Sequence, residues 1–218
     1  VLPKSISLFQ YIHSVPIEKS WEIIVTLLGD LKNNLHTQNH RICDLPMINR
    51  YIETKVNKNL NFIREKNKYI SDFEKYDSLF VNGKEIPTLK NYADILSQDN
   101  LRKIFSKDHY SDIHGDLTIE NIVCIGDPEI DSNQVDVQFC NSVKYYLIDP
   151  NGGNFHDSPN LDYGKLLQSL HGNYELLTMV KSVKIEKKSV HFFMPSADNY
   201  RNLYSKYHNY LTETCTSE

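Results

Sequence analysis

The chain has 218 residues, 40% apolar and 24% charged, proportions that exclude disorder and fibrous architecture and leave enough apolar side chains for one substantial core. Its formal net charge of −4 lacks the basic excess that phosphate-backbone binding brings, so nucleic acid is not an expected partner. No apolar run approaches the roughly 20 residues of a membrane helix, and no membrane partner is expected.

The N-terminus "VLPKSISLFQYIHS" has neither the charged start nor the cleavage site of a signal peptide. It also lacks an initiator Met, so the expectation is a processed chain or a piece of a longer one. Residues 19–38 place Trp21, Ile24, Leu27, Leu28, Leu31 and Leu35 at helical spacing and predict an amphipathic helix. Over 46–73, Ile48, Ile52, Val56, Leu60 and Ile63 recur at three- and four-residue intervals and predict a second long helix. "NGKEIP" at 82–87 reads as a connection by its Gly and Pro, and 88–106 as one or two short helices.

After residue 108 the character changes. "NIVCIG" (121–126), "VDVQFC" (135–140) and "VKYYLID" (143–149) are short, β-branched and aromatic, and bounded by turn formers, which predicts three strands, with "CNSV" closing a hairpin between the second and third. A loop follows at 149–160, then a helix from Leu161 toward Gly172. "VKIEKKSVHFF" is read as a hairpin and 196–212 as a last amphipathic helix. The fold class expected is α+β, mostly helical, with a small strand cluster. Cys43, Cys124, Cys140 and Cys215 form no CxxC pair; they read as structural thiols in a reducing, cytoplasmic setting.

That cluster brackets the octapeptide "HGDLTIEN", residues 114–121. His114, Asp116 and Asn121 lie in it, Asp149 ends "YYLID", and Asp162 follows thirteen residues later. A carboxylate just past a buried strand sits at the mouth of a sheet, where it can hold a cation without full desolvation. Phosphoryl transfer to an alcohol needs a carboxylate for the hydroxyl proton and oxygen ligands for Mg²⁺. Taken singly, each residue also has an ordinary use: Asp116 and Asp149 as turn residues, Asn121 as a solvated amide, His114 as a packed imidazole, Asp162 as a helix cap. There is no HExxH for a zinc hydrolase and no GxSxG for a serine hydrolase.

With "HGDLTIEN", "YLIDP" and "NLDYGKLLQSL" in hand, the sequence resembles the aminoglycoside phosphotransferase-like or choline kinase-like small-molecule kinases, which have a protein kinase-like fold. The likeness covers about residues 110–172. It implies Asp116 as catalytic base, Asn121 and Asp149 as Mg²⁺ ligands beside ATP, and His114 and Asp162 as supports of the loop. Gly115 stands where protein kinases carry Arg. The resemblance also implies that residues 1–218 form the C-terminal, catalytic and acceptor-binding lobe. No GxGxxG or Walker sequence occurs, and a five-stranded nucleotide lobe of about 50 residues or more does not fit before residue 19. The partners implied are thus a small-molecule alcohol and an upstream nucleotide-binding lobe. The expected activity is ATP-dependent phosphorylation of a sugar or amino alcohol; a non-catalytic, pseudokinase-like binding or scaffold domain is the alternative. Tyr163, Tyr174, Tyr200 and Tyr204 are open to two uses, stacking on an acceptor or filling the core.

Overall fold

The structure, a computed structural model, describes residues 5–125, 144–195 and 198–215. It is an α+β fold with more than half of its residues in helices and several small sheets. The chain enters through β1 (Ser5–Ser7) and α1 (Leu8–Ile12), a strand and a short helix within the stretch before residue 19. Next comes α2 (Ile17–Asp30), with Ile23, Ile24, Leu27 and Leu28 buried on one face. Over Leu31–Leu35 the helix widens into a π turn that closes with His36 N–H donating to Leu31 O at 2.8 Å. This inserted residue shifts the helical phase and turns His36 inward.

The short strand β2 (Arg41–Ile42) leads to α3 (Leu45–Tyr51), whose start is fixed by the Asp44 side chain accepting from Met47 N–H. A second π turn (Ile52–Asn57) joins it to α4 (Lys58–Lys66), and α5 (Lys68–Phe73) follows. The single helix predicted over 46–73 is thus interrupted. Asn67 leaves the helical region (φ −116°, ψ 99°) and its side chain accepts from Tyr69 N–H, the local competition with the backbone that makes Asn a cap.

The connection predicted at 82–87 is also corrected. β3 (Ser78–Val81) and β4 (Lys84–Pro87) form a hairpin closed by Asn82 and Gly83, both at positive φ (49° and 82°). Asn-Gly is the sequence that a tight hairpin turn demands. A 3₁₀ turn (Leu89–Tyr92) and α6 (Gln98–Phe105) match the short helices expected over 88–106. β5 (His109–Tyr110) pairs with β2.

After the octapeptide, β6 (Ile122–Ile125) and β7 (Lys144–Leu147) pair antiparallel, and β1 adds to the other edge of β6. The strand expected at 135–140, its hairpin turn and Cys140 lie outside the described residues. The remaining elements are α7 (Pro159–Leu170), α8 (Tyr174–Thr178), β8 (Val183–Glu186), β9 (Ser189–Phe192) and α9 (Asp198–Cys215). β8 and β9 form the hairpin read from the sequence, and β9 also pairs in parallel with β3 to give a four-stranded sheet ordered β4-β3-β9-β8. The main core lies between α1, α2, β6, α7 and α9, with Leu8, Leu27, Leu28, Leu166, Tyr200 and Tyr207 sealed inside. A small second cluster joins Ile48, Ile52 and Leu101. Among the described residues, no helix is long and apolar enough to cross a membrane.

Candidate functional site

The octapeptide is pinned by a buried run. Leu117, Thr118 and Ile119 are buried, as is Ile122 just after it, whereas Asp116, Glu120 and Asn121 reach outward or sit at the boundary. A 3₁₀ turn at Ile119–Asn121 then delivers the chain into β6.

Beneath the loop, Asp162 has no exposed surface at all. A buried carboxylate is costly unless its oxygens are saturated by donors. Here Oδ2 accepts from His114 N–H at 3.0 Å and lies 3.0 Å from His36 Nε2, while Oδ1 accepts from Gly115 N–H at 2.7 Å. Because a carboxylate oxygen only accepts, His36 donates through Nε2. Asp162 is therefore no helix cap. Ser158 caps α7, its side chain accepting from Asn160 N–H, and Asp162 sits inside the first turn as the seat of the loop.

His114 is also buried and engaged at both ring nitrogens. Nε2 donates to Ile148 O at 2.9 Å, and Nδ1 accepts from Asp116 N–H at 3.4 Å. Gly115 takes φ +79°, and a Cβ there would meet Asn154 Nδ2 at 2.1 Å and the Asn151 carbonyl at 2.7 Å. The loop therefore requires glycine at position 115.

Asp116 lies above this base, its side chain 37% exposed. Asn121 Nδ2 donates to its backbone oxygen at 2.8 Å and to its Oδ2 at 3.2 Å, and Lys165 Nζ is 3.0 Å from Oδ1. Both carboxylate oxygens thus have fixed neighbours, and one face stays open to solvent. The ion pair is itself one-third exposed, so it adds about 1 kcal/mol or less to stability; its importance is positional.

Ile148 joins the next segment to the loop on both sides, its N–H donating to Asn121 O at 3.0 Å and its carbonyl accepting from His114. This places Asp149, the following residue, beside the octapeptide, exposed and at φ +53°. The structure thus brings His114, Asp116, Asn121 and Asp162 into one hydrogen-bonded unit and sets Asp149 at its edge. The Asn121 amide nitrogen is committed to Asp116, which leaves Oδ1 as an oxygen donor. Asn121 Oδ1 and the Asp149 carboxylate are hard oxygen atoms of the type taken by Mg²⁺, an ion that usually keeps waters and substrate phosphates as its other ligands. Among the described residues there is no group of three or more His, Cys, Asp or Glu side chains arranged to hold a metal.

Three further groups belong to the site and were not singled out in the sequence. Lys165 lies three residues after Asp162 on α7, so helical spacing carries its signal. His36 is 126 residues from its partner and has no local signal. Ser169 accepts from Ile119 N–H at 3.1 Å and donates to the fully buried Glu175 at 2.7 Å, whose other oxygen accepts from Tyr200 OH at 3.3 Å. Burial, and then the Glu175 charge, push the Tyr200 hydroxyl well above the usual tyrosine range, so it acts as a donor and not as an acid. Tyr200 is core, and Tyr163 and Tyr204 pack against the core from its margin; Tyr174 is 40% exposed. Burial pushes the Cys124 thiol up to about 12, an inert packed sulfur, and Cys43 is raised the same way.

No family model matches the sequence, and neither a curated protein nor a solved structure matches it.

Proposed function

We propose that the chain is the acceptor-side lobe of an ATP-dependent phosphotransferase that passes the γ-phosphoryl group to a hydroxyl of a small molecule. The observation that carries this reading is the position of Asp116. It is an ionisable oxygen pair held from two sides by Asn121 and Lys165, half open to solvent, above a loop whose backbone is anchored by a buried carboxylate.

In this reading Asp116 accepts the proton of the acceptor hydroxyl as its oxygen bonds to the γ-phosphorus and the bond to the β–γ bridging oxygen breaks, releasing ADP. Asn121 and Lys165 keep the carboxylate aimed. Asn121 Oδ1 and Asp149 are the residues that would hold Mg²⁺, whose chemistry there is neutralisation of nucleotide phosphate charge. His114 and Asp162 are positioning residues. An ammonium beside the base disfavours a cationic acceptor, so a sugar fits better than an amino alcohol. Upstream sequence is proposed to supply the rest of the nucleotide site, and a cytoplasmic setting fits a supply of ATP.

The test is Mg²⁺-dependent ADP release by the full-length protein across a panel of sugars and amino alcohols, read beside thermal stabilisation by Mg²⁺ and ATP. Turnover on a panel member that disappears in Asp149→Ala is the expected result. The absence of both turnover and stabilisation would sink the proposal. A pseudokinase-like binding domain is the second reading, favoured by the engagement of both Asp116 oxygens; it predicts stabilisation by nucleotide or acceptor without turnover.

A further inference from the structure

At the end of α7 remote from Asp162, a cleft of about 480 Å³ opens between α7, α8, α9 and β4. Its apolar floor includes the buried Leu170 and Leu176, and the Tyr204 ring lines it beside His171, their ring centroids 4.6 Å apart. Basic side chains from three separate elements reach it: Lys84 opening β4, His171 just past α7, and Arg201 on α9. Among the described residues that line it there is no Asp or Glu, although acidic residues outnumber Lys and Arg by 28 to 24 in the whole chain.

These cations are weakly countered. Arg201 lies 3.4 Å from Asp198, one turn earlier on its own helix, with both side chains about three-quarters exposed, a pair that contributes little. Most of the five guanidinium donors are left over. Lys84 makes no ion pair with a described residue. The carboxylate of Glu175 lies behind the wall with both oxygens bonded to Ser169 and Tyr200, and it is fully buried. Like charges gathered over an apolar floor focus a positive potential into the cleft.

We infer that this cleft binds a small phosphate monoester of a sugar-like alcohol. Two fixed positive charges plus an imidazole match a dianionic phosphate, whereas a single carboxylate leaves one cation unmatched. The volume falls within the range of small-molecule sites, and Tyr204 with the leucine floor provides the surface on which the carbon skeleton packs. None of these residues belongs to the octapeptide site, so the inference goes beyond the phosphotransferase reading and does not rest on it.

The experiment is calorimetric titration of the full-length protein, at low ionic strength, with glucose 6-phosphate, ribose 5-phosphate, inorganic phosphate and glucose. At least one sugar phosphate is expected to bind more tightly than inorganic phosphate, and any glucose binding to be unmoved by Arg201→Gln and Lys84→Gln. Arg201→Gln and Lys84→Gln, both at exposed positions, are each expected to weaken it about tenfold or more, with circular dichroism unchanged. Asp116→Asn is expected to leave the titration as it was. Absence of sugar-phosphate binding, inorganic phosphate binding as tightly, affinity unmoved in both variants, or affinity lost with Asp116→Asn would each overturn the assignment. Because these titrations follow binding at Lys84 and Arg201 while the kinase reading is followed by turnover at Asp116 and Asp149, either fails without the other.

Discussion

Between α2, α7 and α9, leucines and two tyrosines are sealed from solvent in one continuous core, while α3 to α6 bury only Ile48, Ile52 and Leu101 together. On that second side Phe62, Ile95 and Ile104 remain about half exposed, and α4 and α5 bury nothing. At about 1.5–3 kcal/mol for each fully buried large apolar side chain, the first region dominates the stability of the fold. The octapeptide is fastened to it through Leu117 and Ile119, and through Ile122 just after it. Packing is thus concentrated beneath Asp116, and the peripheral helices tolerate irregular turns because little packing depends on them.

The sharpest way to break this contrast is Asp162→Ala. It strips the His114 and Gly115 N–H groups and His36 of their shared acceptor inside the core, and is expected to cost about 3–5 kcal/mol in urea unfolding. Next in size, Leu27→Ala in the main core is expected to cost about 3–5 kcal/mol and Ile48→Ala in the peripheral cluster about 2; equal costs would erase the distinction. Gly115→Ala should cost about 1–3 kcal/mol by setting a Cβ against the Asn151 carbonyl and the Asn154 amide.

The smallest effect concerns Asp108, which ties the two regions together through His156 Nε2 at 2.7 Å and Asn160 at 2.9 Å. Burial alone raises its pKa, yet hydrogen bonds from His156, Asn160 and Ser158 bring it below the ordinary 3.8. A carboxyl lowered in the folded state contributes fully above about pH 4, and the contribution is lost as pH falls through its lowered value. Asp108→Asn is therefore expected to flatten the decline of stability below pH 4, measured as the unfolding midpoint against pH, and to leave the slope above pH 5 unchanged.

The site was readable where its signals were local. His114, Asp116 and Asn121 share eight residues, the strand leading to Asp149 announces itself by its β-branched and aromatic composition, and the helix holding Asp162 by its period. Lys165 was within reach as the residue three places after Asp162. The partners of Asp162 and Ile119 were not, because His36 and Ser169 come from segments 126 and 50 residues away, and no local pattern encodes which buried hydroxyl or imidazole meets which backbone amide. In the fold, the Asn82-Gly83 hairpin carried a local signal that the short, exposed, Pro-ended strand Lys84–Pro87 masked. The π turns and the break at Asn67 arise where an extra residue or a side-chain cap defeats a helical period that continues through them.

On the proposed function, Asp116 is a reactive carboxylate and not a structural one. The most direct test is Asp116→Asn in the full-length protein with Mg²⁺, ATP and whichever sugar gives turnover, monitored by ADP release together with the unfolding midpoint. The expected result is a fall of about 10²–10⁴ in kcat with stability changed by no more than about 1 kcal/mol. Turnover preserved in that variant, or lost only because the protein unfolds, would contradict it.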